Sequence, residues 1–429
     1  MRFPFLILSI LITISLHAQE GAWSGELDIQ GTKLPLVFHF DPEGCTMDSP
    51  SQGATGIKAE KSYTPEGKIK VSIPVIAATF EGIMVMRSIT GTFTQGGMSF
   101  PLTLKPGVPK LNRPQTPVPP YPYTTEEVTF TSGATTMNGT LTLPPSYSKA
   151  TPVVLLVTGS GQQNRDEELF EHKPFAVIAD ALARQGIASL RYDDRGYNDP
   201  SVIFSDLTTA DFKHDAAAGI DYLRSRFKTV GVVGHSEGGT IALMLASEGK
   251  TDFIVSLAGM AISGKETLIM QNAQSLKANG LTDAQTEQFT NILSTIFDQL
   301  AAGQSIEQFV GNTVLDSQER MIISQAAKQL STPYIRHFIT VDVRPSLSSI
   351  KCPVLALNGT LDTQVDHQAN LDAIDKGITN AKHEVRALSN LNHLFQHCTT
   401  GQLTEYRQIE ETISPEVLDL ITTWITKLK

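Results

Sequence analysis

The sequence predicts an α/β domain, built on a mainly parallel sheet with helices on both faces and carrying a helical cap insertion, preceded by a small all-β domain. Three observations predict it. From about residue 124 onward, near-continuous apolar runs alternate with helical stretches, the pattern of strands buried on both faces of a sheet. Residues 19–105 instead hold short alternating segments broken by Gly and Pro, with no helical period. Between the two lies a stretch, 106–123, with prolines at 106, 109, 114, 117, 119, 120 and 122. Such a stretch runs extended and is expected to act as a semi-rigid spacer.

The elements follow in chain order. Met1-Arg2 precedes an apolar run from Phe3 to Leu16, and His17-Ala18-Gln19 follows. A positive start, a short apolar core and a small residue before a polar one form the pattern of a secretory signal peptide. Cleavage is expected after Ala18, so residues 1–18 are expected to be removed and the protein exported to the periplasm or beyond the cell. The run is shorter than the ~20 residues a membrane span needs. No later stretch reaches that length, so no transmembrane segment is expected after cleavage. Residues 34–40, 69–73 and 99–104 read as strands of a sandwich or barrel. Beyond residue 124, the runs 153–157, 188–192, 230–234, 253–257 and 354–358 read as strands, with helices near 175–185 and 210–226. A block at about 260–345 interrupts this alternation. In it Phe289, Ile292, Leu293, Ile296, Phe297 and Leu300 recur at helical spacing. An insertion there is expected to lie over the carboxyl edge of the sheet as a cap.

Composition narrows the function. With 41% hydrophobic and 18% charged residues, the chain is neither disordered nor fibrous. Its net charge is −10 and no Lys/Arg run occurs, so no nucleic-acid partner is expected. Cys45, Cys352 and Cys398 are too few for a disulfide framework and none has zinc-site spacing. The chain shows neither a metal-ligand cluster nor a nucleotide-cradling loop, so no cofactor or metal is implied. Nothing in it sets an oligomeric state.

The chemistry centres on Gly234-His235-Ser236-Glu237-Gly238-Gly239, which follows one expected strand and opens an expected helix. This is G-x-S-x-G in the context that gives it meaning, a sharp strand-to-helix turn that lifts the serine to the sheet's carboxyl edge. A serine hydroxyl needs a base. In the order Ser, acid, His, the base is His393 within Leu391-Asn392-His393-Leu394-Phe395, with His397 as competitor. The acid is Asp362, just after strand 354–358, with Asp366 as runner-up and a helix cap as the alternative role of Asp366. An oxyanion is expected to be held by backbone N–H groups. One comes from Glu237 and one from the loop 158–162, where Ser160 is favoured and Gly161 or Gln162 remain open.

These segments carry a resemblance. The matching stretches are Thr158-Gly159-Ser160-Gly161 with Arg165-Asp166-Glu167, Arg191-Tyr192-Asp193-Asp194-Arg195-Gly196, Gly234–Gly239, Asn358-Gly359 with Asp362 and Val365, and Leu391–Phe395. The chain from about residue 124 onward resembles the α/β-hydrolase superfamily, and within it the EstD-type bacterial esterases related to serine aminopeptidase-like hydrolases. The resemblance implies Ser236, Asp362 and His393 as the catalytic triad. It departs at Thr158, where many relatives carry His, and at Tyr197-Asn198-Asp199-Pro200, where a Gly/Ser continuation is usual. The Asp-Arg pair of 193–195 is expected to be a structural brace.

The function expected is therefore an exported serine hydrolase acting on a small-molecule ester of short or medium acyl length. The alternative is a peptide or amide hydrolase using the same triad, in which an acidic cap residue such as Glu266 or Asp298 would receive the substrate ammonium. A non-enzymatic binding protein on a retired scaffold is a third reading, set against by the filled triad positions.

Overall fold

The computed structural model describes residues 20–428, apart from 30, 31, 43, 51–53, 65, 66, 109, 200 and 307–329. The expected signal segment 1–18, Pro109, Pro200 and part of the inserted block, 307–329, lie outside the described residues. The chain divides into two compact units, Met1–Leu111 and Asn112–Lys429.

In the first unit eight antiparallel strands close into a barrel in sequence order: β1 (Gly21–Ile29), β2 (Thr32–Phe40), β3 (Cys45–Ser49), β4 (Ala54–Tyr63), β5 (Ile69–Ile73), β6 (Ala78–Val85), β7 (Ser88–Gln95) and β8 (Met98–Pro106). Alternation drives this closure. In β5, Ile69, Val71 and Ile73 are buried while Lys70 is exposed and Ser72 half-buried. The inward side chains of the other strands, Phe38, Phe40, Phe80 and Phe93 among them, fill the interior. The barrel thus has a packed core and no free edge.

The second unit is an eight-stranded sheet in the order β16-β15-β14-β13-β11-β12-β10-β9. The strands β9 (Thr124–Ser132) and β10 (Thr135–Leu143) form an antiparallel hairpin, and β10 pairs antiparallel with β12 (Ala188–Tyr192). From β12 onward the pairing is parallel through β11 (Val153–Val157), β13 (Val230–His235), β14 (Phe253–Leu257), β15 (Val354–Gly359) and β16 (His383–Leu388). Central strands are buried along their whole length. Their successive side chains feed two different cores. Val153, Leu155 and Val157 join Ala216, Ile220 and Leu243 on one face, where α2 (Thr209–Arg224) and α3 (Glu237–Ser247) pack. On the other face Val154 and Leu156 join Phe175, Ile178, Val417 and Ile421. Those residues belong to α1 (Pro174–Arg184) and to the C-terminal helix Pro415–Thr426.

Between β14 and β15 the described residues form α4 (Gly264–Ala278), α5 (Asp283–Ala301) and α6 (Pro333–Phe338). Both α4 and α5 begin with capping boxes, Ser263 with Glu266 and Thr282 with Gln285. The apolar stripe of α5 is used within the block: Leu293, Ile296, Phe297 and Leu300 pack with Ile306 and Ile339. Tyr334 and Phe338 of α6 instead join the core of the sheet.

The proline-rich stretch divides between the two units. Pro106 ends β8, while Asn112 onward belongs to the second unit. There the Arg113 guanidinium donates to the carbonyls of Phe170, Arg407 and Ile409, and Gln115 bonds the backbone of Thr412 and Ile413. Proline content sets the extended backbone; these two polar side chains set where it lies.

Candidate active site

Ser236 stands between β13 and α3 at φ 53° and ψ −119°, a strained conformation for a residue with a side chain. Its N–H donates to the Leu257 carbonyl, and its own carbonyl accepts from Gly239 and Thr240. The flanking glycines are dictated by backbone proximity. A Cβ at Gly234 would lie 2.0 Å from the Gly238 carbonyl oxygen, and one at Gly238 would lie 2.1 Å from that of Val157. Any side chain at either position would open the turn. Ser236 itself is half-buried, whereas its neighbours His235 and Glu237 are buried.

His393 and Asp362 come from the loops that follow β16 and β15. Both are buried, and His393 Nδ1 lies 2.7 Å from Asp362 Oδ2. The other carboxylate oxygen, Oδ1, accepts the N–H groups of Gln364 and Val365 at 2.8 and 2.9 Å. The carboxylate is thus fixed by main chain on one side and aimed at the ring on the other. With Nδ1 donating to Asp362, the ring's lone pair sits on Nε2, the tautomer a general base requires. The loop that carries His393 is held by Asn392, whose Oδ1 accepts from Leu394 and Gln396 N–H while its Nδ2 donates to Gln396 Oε1.

The competitors have other work. Asp366 caps helix α7 (His367–Gly377) through Ala369 N–H. His397 is exposed and pairs with Glu411. Glu266 closes its capping box and pairs with Arg344, and Asp298 pairs with Lys265. Asp193 takes Arg165 and Arg195 takes Asp215, which braces the loops around the strand ends. Cys45, Cys352 and Cys398 are all free thiols.

In the loop after β11, Gly159 N–H donates to Glu167 Oε1 at 2.6 Å and Gln163 N–H to Asp194 Oδ2 at 2.8 Å. Two carboxylates therefore pin the loop on either side of Ser160, Gly161 and Gln162. Ser160 is exposed, and Gly161 has φ +100°, a conformation suited to glycine. Thr158, at the position where the resemblance leads to His, hydrogen-bonds Asp194 instead.

Three groups escaped sequence reasoning. The buried Glu237 carboxylate accepts hydrogen bonds from Thr209 and from Tyr334 of α6, at 2.6 and 2.7 Å. Burial pushes this carboxyl above its usual range, and the two hydroxyls offset part of that rise. His235 and Glu167 form a buried pair at 2.9 Å. No local signal marks these contacts, because the x positions of G-x-S-x-G admit any side chain and the partners lie far away in the chain.

Among the described residues no group of three or more His, Cys, Asp or Glu could hold a metal ion, and no helix is long and apolar enough to cross a membrane.

A nucleophile-type turn after a central parallel strand, with a His–Asp pair on the following strand ends, defines the α/β-hydrolase class. The family model described as the alpha/beta hydrolase fold matches residues 152–397, and the chain belongs to that family. It is 31% identical over 163 residues to Esterase EstD from Thermotoga maritima; the match covers 37% of this chain and 38% of that relative's length. Among solved structures it is similar to Est1E from Butyrivibrio proteoclasticus, with 14% identity, TM-score 0.42, and coverage of 70% of this chain and 98% of that one. It is likewise similar to a proline iminopeptidase from Mycobacterium smegmatis, with 16% identity, TM-score 0.43, and coverage of 70% and 98%.

Proposed function

We propose that the protein is an exported serine carboxylesterase that cleaves short or medium acyl esters through an acyl-enzyme. The observation that carries this reading is the buried Asp362–His393 pair on the strand-end loops of a sheet whose central turn presents Ser236. Likeness to Esterase EstD over part of the chain supports the ester class. In the aminopeptidase alternative the acidic cap residues Glu266 and Asp298 each already pair with a cation, Arg344 and Lys265.

In the proposed reaction Ser236 Oγ attacks the ester carbonyl as His393 Nε2 takes its proton, and Asp362 holds the ring and stabilises the imidazolium. The oxyanion is held by the N–H of Glu237, the first of its helix, and by an amide of the 160–162 segment. His393 then protonates the departing alcohol, and water attacks the acyl-serine by the same route in reverse. Export rests on the signal-like residues 1–18. A fluorophosphonate probe should label Ser236 in the wild-type protein and leave the Ser236→Ala variant unlabelled. An unlabelled serine in folded protein would favour a retired scaffold and end the esterase reading.

The described helices α4, α5 and α6 of the inserted block serve as the cap in this proposal. Its parts are expected to respond differently. Phe297 is fully buried in the block's own core, so Phe297→Ala should cost about 3–5 kcal/mol of stability. Met270 of α4 is half-buried and adaptable. Its replacement by alanine should change the ratio of kcat/KM between acetyl and octanoyl nitrophenyl esters with a smaller loss of stability. A constant ratio would place the acyl pocket elsewhere.

A further inference from the structure

We infer that His235 is a doubly protonated positioning residue, an imidazolium paired with Glu167 that clamps the base loop and the loop after β11 to the nucleophile turn. The inference rests on the reading of Ser236 and His393 as nucleophile and base.

The protonation state follows from the acceptors. His235 Nε2 lies 2.9 Å from the His393 carbonyl oxygen, which can only accept. Nδ1 lies 2.9 Å from Glu167 Oε1, and that same oxygen already accepts Gly159 N–H. Both ring nitrogens therefore face acceptors. With Glu167 ionised, a neutral imidazole carries one N–H and can satisfy only one of them; the imidazolium satisfies both. The site is buried, His235 and Glu167 each being about nine-tenths or more hidden, so an unmet acceptor would find no water.

The charges facing His235 are Glu167 from the loop after β11 and Asp362 from the turn after β15; the His393 ring lies 4.7 Å away, centroid to centroid. Burial alone would favour the neutral ring. The two carboxylates and the carbonyl outweigh it, and the group is held above the ordinary imidazole range. The sign for stability follows: the pair's contribution is complete below an unfolded value of about 6.5 and is lost as pH rises through the elevated folded value.

The clamp joins three loops. His235 is the residue before Ser236, and it holds the main chain of His393 while Asp362 holds the ring. Glu167 ties in Gly159, whose Cβ position would lie 3.2 Å from Ser236 Cβ. Glu167 itself takes φ +52°, a left-handed conformation few non-glycine residues adopt.

The test is ¹⁵N-histidine labelling of the full-length protein, with ring-nitrogen correlation spectra taken at about pH 7, where ordinary imidazoles are mostly neutral. His235 should show two protonated nitrogens, in wild type and in Ser236→Ala alike. His235→Gln assigns the signal; if that variant does not fold, the ring signal that moves in Glu167→Gln does so. Glu167→Gln keeps an oxygen for Gly159 but removes the charge. It should leave His235 with one unprotonated nitrogen and lower kcat on the order of 10²-fold with KM nearly constant. A neutral His235 in active wild-type enzyme overturns the inference, as does a Glu167→Gln variant with unchanged spectrum and kcat. Wild-type protein with the two-proton signal but no ester turnover would instead remove the esterase reading, and with it the catalytic consequence of the clamp.

Discussion

Replacing Ser236 with alanine is expected to lower kcat toward p-nitrophenyl acetate about 10⁵-fold or more, with a circular dichroism spectrum and melting temperature close to wild type. The magnitude follows from the role. Without Oγ no acyl-enzyme forms, and only the oxyanion donors and substrate positioning remain to speed hydrolysis by water. A loss of 10⁵ corresponds to about 7 kcal/mol of barrier. Stability should change little because the turn is held by main chain. Ser236 N–H bonds the Leu257 carbonyl and its own C=O accepts from Gly239 and Thr240, none of which needs the hydroxyl. The strained φ of 53° is tolerated by alanine as by serine. Turnover retained within tenfold of wild type would remove Ser236 as nucleophile.

The parts of this site that can be read from sequence are those where geometry forces residue type. Gly234 and Gly238 are forced by backbone oxygens about 2 Å from where a Cβ would stand. The apolar runs of β11, β13 and β14 are forced by burial on both faces. Asp362 and His393 are found by chain order, because strands that sit side by side deliver their following loops to one edge. What sequence could not give are contacts set by tertiary packing. Glu167 meets His235 from 68 residues away, and Tyr334 meets Glu237 from 97. Neither pairing leaves a spacing in the chain, and a glutamate in a polar loop reads as solvated. The proline-rich stretch shows the same limit. Its composition implied an extended spacer, yet Arg113 and Gln115 bind carbonyls almost 300 residues downstream. The apolar stripe of α5 read correctly as a buried face, but the pattern did not say that its partners are Ile306 and Ile339 within the same block.

Asp362→Asn should lower kcat about 10⁴-fold, less than the serine variant, while leaving the loop folded. The geometry decides the direction of the new amide. Oδ1 accepts two main-chain N–H groups, from Gln364 and Val365, so the asparagine oxygen must take that place. Its NH₂ then faces His393 Nδ1, where Asp362 Oδ2 now lies at 2.7 Å. An amide NH₂ can only donate. Nδ1 must become an acceptor, the ring proton moves to Nε2, and the nitrogen that should take the serine proton no longer can. The imidazolium of the transition state also loses its buried counter-charge. KM should change little, since neither effect touches ground-state binding. Because the three groups act as one unit, the double variant Ser236→Ala/Asp362→Asn should be no slower than Ser236→Ala alone. Losses that instead multiply toward 10⁹ would mean that Asp362 acts independently of the serine. A loss under tenfold from Asp362→Asn alone would mean that another group orients the base.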